Sequence, residues 1–243
     1  TGLANSKKPI ILEGGMKWQP ITISNNDSQF LETRQYQKSD IASIFRVSPH
    51  LINDLKNATF SNIEHLGIEH VKYCLIPVAS KIEAAINEAI EYALKKDVLI
   101  IQAAGNNKRN IDLITYFPSA KDAQGKIFPN YLRVGSSDKK GQLSQFSNYG
   151  AKEVDVFAPG EEITSVTVGN KYMVSQGTSI ATPIVSGVAA MLRAHFPKLT
   201  ATQIKEILIK SVRPADNLKD RCTSGGIIDA LQAVKLATEY KKR

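Results

Sequence analysis

Hydrophobic and polar positions along this chain follow helical and strand periods that change at definable points. Between Ile82 and Leu94, the apolar residues Ile82, Ile86, Ala89, Ile90, Ala93 and Leu94 recur at helical spacing, while Lys81, Glu88, Glu91, Lys95 and Lys96 lie largely on the other face. Ser80-x-x-Glu83 reads as a capping box at the start of that helix. The helix runs into Val98-Leu99-Ile100-Ile101, a β-branched apolar run that predicts a strand buried on both faces. Helix followed by buried strand is half of a right-handed βαβ unit. Further strands are predicted at 131–135 and at 154–157, the latter ended by Pro159-Gly160. Residues 163–168 and 171–175 predict a hairpin around Gly169-Asn170, a pair suited to positive φ. Thr200-x-x-Gln203 predicts the cap of a helix bearing Ile204, Ile207 and Leu208.

The segment GTSIATPIVSG, from Gly177 to Gly187, places Ser179 in the first turn of a predicted helix that continues through Ile184, Val185, Val188, Ala189 and Leu192. Apolar residues nearly all round predict burial on most faces. Pro183 falls early enough that its missing N–H is tolerated. A hydroxyl at this place meets the positive end of the helix dipole and unpaired backbone N–H groups, which suits a nucleophile whose attack generates an oxyanion. The same residues also suit a buried helix that merely opens on a hydroxyl cap.

The first third of the chain has a different texture. Residues 9–23 predict two short strands, PIILE and QPITIS, around Gly14-Gly15. A helix is expected from about Asn26 to Gln37 and a short helical turn from Asp40 to Phe45, before Pro49 breaks the chain. Ser61-x-x-Glu64 is a capping box opening a helix that Pro77 is expected to end. His65 and His70 lie five positions apart on it, not the i, i+4 spacing of a helical metal pair, and read as surface histidines.

The net charge of +8 divides unevenly: residues 1–77 hold eight Lys/Arg against seven Asp/Glu, so the excess lies in the remainder. There the lysines are scattered, a solvated surface rather than a nucleic-acid track. With 42% hydrophobic residues and no run near the roughly 18 apolar residues of a membrane span, the class is globular with no membrane partner. Cys74 and Cys222 are the only cysteines and define no disulfide framework or zinc spacing. The opening TGLANSKKP carries no initiator Met or signal-peptide pattern and reads as the interior of an open reading frame.

Two resemblances divide the chain. GGMKW, QFLETR, the IA-x-IF-x-V-x-PHL run and TFSNIEH recur in order over about residues 3–77, and this stretch resembles a fragment of the portal proteins of tailed phages. That implies an α+β fragment from a parent that forms a homo-oligomeric ring for DNA passage in a virion. AAGN at 103–106 with GTS-x-A-x-P at 177–183, and FPSA, FSNYG, VDVFAPG and SGGIIDALQAV in order, resemble the last portion of subtilisin-like serine peptidases, closest to those of Bacteroidetes-type bacteria. The organisation expected is therefore a portal-like fragment at 1–77 and, at 78–243, a partial doubly wound α/β parallel sheet.

The second resemblance implies an exported bacterial endopeptidase acting on polypeptides. Ser179 would be its nucleophile, and the Asn106 side-chain amide with the Ser179 N–H its oxyanion hole. Ala103, Ala104 and Gly105 would line one wall of a pocket for a large, apolar-leaning side chain, and Phe117-Pro118 would be a cis bond. No cofactor is implied; calcium is compatible with the family, but the sequence identifies no site for it. The family's Asp-Thr/Ser-Gly and His-Gly-Thr motifs, which precede the Asn motif, are not in this chain: Asp27, Asp40, Asp54 and Asp97 are not followed by Thr-Gly or Ser-Gly, and His50, His65 and His70 are followed by Leu, Leu and Val. The expectation is a catalytically incomplete serine endopeptidase. Its alternatives are a portal fragment or a chimeric chain with no single function, joined between about Pro77 and Glu88, with an uncovered sheet edge.

Overall fold

A computed structural model describes residues 14–15, 17, 25–54, 63–114, 116–122 and 124–240. Its contacts divide the chain into two compact units, Thr1–Ala79 and Ser80–Arg243.

In the first unit, α1 is one helix, Asn25–Ile44. The two helical pieces expected at 26–37 and 40–45 are therefore continuous, because no Gly or Pro separates them. A 3₁₀ turn follows at Pro49–Ile52. α2 (Ile63–His70) passes through a π-helical turn, Val71–Leu75, into α3, Ile76–Lys95. Pro77 thus stands inside a continuous helix rather than ending it: in the π-helical turn just before it the Ile76 N–H already reaches back five residues to the Val71 carbonyl, so the regular ladder is interrupted where proline lacks its N–H. Ser80-x-x-Glu83 consequently lies inside α3 and caps nothing. The strands expected at 9–23 and the cap at Ser61 lie outside the described residues.

The second unit is a three-layer α/β arrangement around a five-stranded sheet of order β1-β2-β3-β7-β6. The strands are β1 (Ile100–Ala103), β2 (Tyr131–Ser137), β3 (Val156–Pro159), β6 (Arg213–Pro214) and β7 (Gly226–Ile227). Pairings from β1 through β7 are parallel, and only β6–β7 is antiparallel. β2 is buried at every position. Its alternation sends Leu132 and Val134 to one face, where they meet α4 (Thr178–His195) through Ala181, Val185 and Leu192. α5 (Ala201–Lys210) and α6 (Ala230–Tyr240) complete that layer through Ile204, Ile207, Leu208, Ala233 and Ala237. On the opposite face Tyr131 packs with Ile90, Ile86 and Ile100.

The capping box of α5 is formed as expected: Thr200 Oγ1 accepts from the Gln203 N–H at 3.2 Å, and Gln203 Oε1 accepts from the Thr200 N–H at 2.9 Å. The hairpin is present as β4 (Ile163–Thr167) and β5 (Lys171–Ser175), with Gly169 and Asn170 at φ 74° and 56°.

Two burial expectations need correction. β1 is half-buried along its length, because among the described residues it is the edge of the sheet, with β2 on one side. α4 is not buried all round: Ala181, Val185, Ala189 and Leu192 face the sheet, while Pro183, Gly187, Ala190 and Ala194 are exposed.

Candidate active site

Ligands of open α/β sheets bind beyond the carboxyl ends of the strands. At that end of β1 the chain turns through Ala104-Gly105-Asn106, and α4 begins beside it. The Asn106 side chain is fixed by its oxygen, which accepts from both the Thr178 N–H and the Thr178 hydroxyl, each at 2.9 Å. Thr178 Oγ1 in turn accepts from the Gly105 N–H at 3.1 Å. With the oxygen engaged by two donors, the amide can have only one orientation, and its Nδ2 is turned outward.

The nitrogen faces a gap kept open by Gly177. A Cβ at Gly177 would stand 3.1 Å from Ser179 Oγ, 3.3 Å from Asn106 Nδ2 and 3.7 Å from the Ser179 backbone nitrogen. Those three groups therefore surround one small space. Gly177 also sits at φ 147°, a region that favours glycine. The Ser179 N–H belongs to the first turn of α4, where donors have no intrahelical partner. Ser179 itself is exposed, whereas Thr178 is buried. An alkoxide-like oxygen in the gap would meet two N–H donors and the helix dipole together.

The remaining sequence-predicted residues are distributed unevenly. Ala103 and Gly105 are half-buried at the rim, but Ala104 is fully buried with Ile111, Val154 and Phe157, so it offers backbone rather than side chain. A Cβ at Gly105 would fall 2.1 Å from the Tyr116 hydroxyl and 2.6 Å from Asn148 Nδ2, which leaves glycine as the residue that fits. The Phe117-Pro118 bond is cis, as the resemblance implied. His195 is at the far end of α4 from Ser179, roughly 24 Å along the helix, with Nδ1 3.0 Å from the Met191 carbonyl. It is the single histidine of residues 80–243.

Two supporting residues were not assigned from sequence. Thr178 orients Asn106, as described. Asn148, fully buried within FSNYG, accepts from the Asn107 and Arg109 N–H groups at 3.1 and 3.0 Å and donates to the Ala104 carbonyl at 2.8 Å. It holds the loop that carries Asn106. An asparagine inside a recognised motif was the available signal, but its partners are some 40 positions away.

The strongest buried charges lie elsewhere. Arg133, fully buried in β2, donates to the Glu153 carboxylate at 3.1 Å and to the carbonyls of Glu153, Tyr116 and Pro118. It thereby clamps the 116–118 loop. Burial pushes the Asp155 carboxyl up, opposed by Lys205 3.4 Å away and by the Arg133 N–H. Among the described residues, no group of three or more His, Cys, Asp or Glu could hold a metal ion.

The site's ancestry is visible in known proteins. A model of the subtilase family matches residues 76–229, and a phage portal protein model matches residues 1–106. The chain is 34% identical over 132 residues to a thermostable alkaline protease of Halalkalibacterium halodurans, covering 53% of this chain and 31% of that protein. It is 39% identical over 110 residues to a thermophilic serine proteinase of Bacillus sp. AK1, covering 45% of this chain and 25% of that protein. Among solved structures, the self-cleaved protease domain of PatA superposes with TM-score 0.51 at 30% identity, over 63% of this chain and 54% of that one. The prenylagaramide maturation protease PagA gives TM-score 0.50 at 29% identity, over 61% and 54%. The chain thus spans about a quarter to a third of these curated relatives and about half of the solved domains. On the family match across most of its length, this chain belongs to the subtilase family.

Proposed function

We propose that Ser179 is the nucleophile of a peptide-bond-cleaving site that this chain carries without its base. In the reaction, Ser179 Oγ attacks the scissile carbonyl and the carbonyl oxygen becomes the oxyanion. The hydroxyl proton passes to a base, the amine leaves, and water releases the acyl group. The convergence of Ser179 Oγ, the Ser179 nitrogen and Asn106 Nδ2 around the gap at Gly177 supports this assignment above any other observation. Ala103 and Gly105, with the backbone of Ala104, would form one wall for the substrate side chain.

What is missing decides the rate. His195 lies too far along α4 to take the proton, and His50, His65 and His70 stand in no His-Gly-Thr context. Losing the base costs on the order of 10⁶ in turnover, leaving roughly 10³-fold over water from the donors alone. The expected result of treating the chain with a fluorophosphonate is labelling of Ser179 far below the rate of a working serine hydrolase. Labelling at the rate of a working serine hydrolase, lost in Ser179→Ala, would refute the idle state.

A second reading applies to the amino-terminal unit. The portal model covers residues 1–106, and among the residues of 29–54 and 64–79 only Ala42 is buried. This part is read as a virion structural fragment joined to the subtilase portion within α3, where the two family matches overlap.

A further inference from the structure

Tyr116 stands in the chain between β1 and β2, and its surroundings fix where its ring lies. Its carbonyl accepts from the buried Arg133 guanidinium at 3.3 Å, and that guanidinium also stands 5.7 Å from the centre of the ring. The ring packs, half-buried, against the cluster that holds Ala104, Ile111, Val154 and Phe157. Its hydroxyl ends at Gly105: a Cβ built on that glycine would overlap the Tyr116 oxygen and fall 2.6 Å from Asn148 Nδ2. The face of Gly105 on which a side chain would stand is thus covered by a phenol. Gly105 directly precedes Asn106, whose Nδ2 borders the gap at Gly177.

We propose that Tyr116 sets the substrate class of this site: it fills the side-chain pocket beside Gly105, so that the residue on the acyl side of the scissile bond must be small, a glycine, alanine or serine. The proposal rests on the reading of Ser179 and Asn106 as the reacting site. It replaces the large, apolar side chain that the small wall residues suggest by themselves. Ala103 and Gly105 do leave room at the wall, but a ring from the following loop takes it up. That ring is not free to step aside. Turning it outward would strip it from the Ala104 cluster, and interiors packed near crystal density do not yield a second ring's volume without strain. One methylene more or less in an apolar pocket changes selectivity about 10- to 200-fold, and phenylalanine exceeds alanine by a whole ring.

The experiment titrates the full chain with two acetylated tripeptide acids that differ only in their last residue, alanine or phenylalanine. The Gly105 backbone amide, the Ser179 backbone amide and the Asn106 side-chain amide are followed by NMR. Expected is binding of the alanine peptide at least about tenfold tighter than that of the phenylalanine peptide. Tyr116→Ala should raise the affinity of the phenylalanine peptide at least about tenfold and change that of the alanine peptide less than about threefold. Tyr116→Phe, which keeps the ring in its cluster, should keep the preference for alanine. The native comparison needs no variant, so it decides even where Tyr116→Ala fails to fold. A phenylalanine peptide that shifts the Gly105 amide of the native chain and binds as tightly as the alanine peptide overturns the proposal. So does a phenylalanine affinity unmoved in a folded Tyr116→Ala, or a Gly105 amide that neither peptide shifts. A preference for alanine read at Gly105, with the Asn106 and Ser179 amides unshifted, supports Tyr116 as the size filter and defeats the reading of the gap as the oxyanion site.

Discussion

Thr178→Val isolates the device that aims Asn106. Valine keeps the shape of a side chain that is 1% exposed, but removes the hydroxyl that donates to Asn106 Oδ1 at 2.9 Å and accepts from the Gly105 N–H at 3.1 Å. Two hydrogen bonds at roughly 1 kcal/mol each give about 2 kcal/mol of destabilisation. The figure stays near that sum, not above it, because Gly105 is half-buried and its freed N–H can reach water. For a unit of this size that is a drop of about 4–8 °C in Tm, or an equivalent fall in denaturant midpoint with unchanged slope. The decisive measurement is the double-mutant cycle with Asn106→Ala. If the hydroxyl acts through Asn106, the double variant loses less than the sum of the single ones, with coupling on the order of 1 kcal/mol. Additivity within about 0.3 kcal/mol would refute the orienting role, even if each variant alone were destabilised.

Other perturbations probe the frame around the site. Arg133→Met keeps most of the buried volume but leaves the Tyr116 and Pro118 carbonyls without their donor and Glu153 with Lys121 alone, 3.5 Å away, and should cost about 2–3 kcal/mol in urea unfolding; a loss under about 1 kcal/mol would show that the clamp contributes little. Asp97 accepts from Arg193 and from the Ala201 N–H, and these bonds hold its carboxyl below the ordinary 3.8. A depressed carboxylate stabilises above its unfolded pKa and loses that contribution as pH falls through its folded one. The stability difference between the native chain and Asp97→Asn should therefore be constant from about pH 5 to 7 and shrink below about pH 4; a difference that grows on acidification would contradict the pairing.

Much of this architecture is legible without coordinates where one local rule decides. Thr200 and Gln203 cap α5 because the bonds join residues three apart, and Gly169-Asn170 turn the hairpin because both tolerate positive φ. Ser179 and Asn106 were singled out because their motifs are short and ordered. The local rules failed at Ser80 and Pro77, where a π turn carries one helix past two apparent boundaries, and at 26–45, where weak amphipathicity concealed a single helix.

Sequence alone therefore determined the type of most elements and the family of the larger portion, since each is a matter of residue type within a few positions. Tertiary structure decided how Asn106 faces, that Gly177 keeps the space between it and Ser179 open, and that Ala104 turns into the core. It also decided that, among the described residues, β1 has a strand on one side only and one side of α4 is exposed. Orientation and burial depend on what stands alongside: the hydroxyl that fixes Asn106 lies 72 positions away, and a half-buried apolar strand reads the same as a fully buried one until its neighbours are placed.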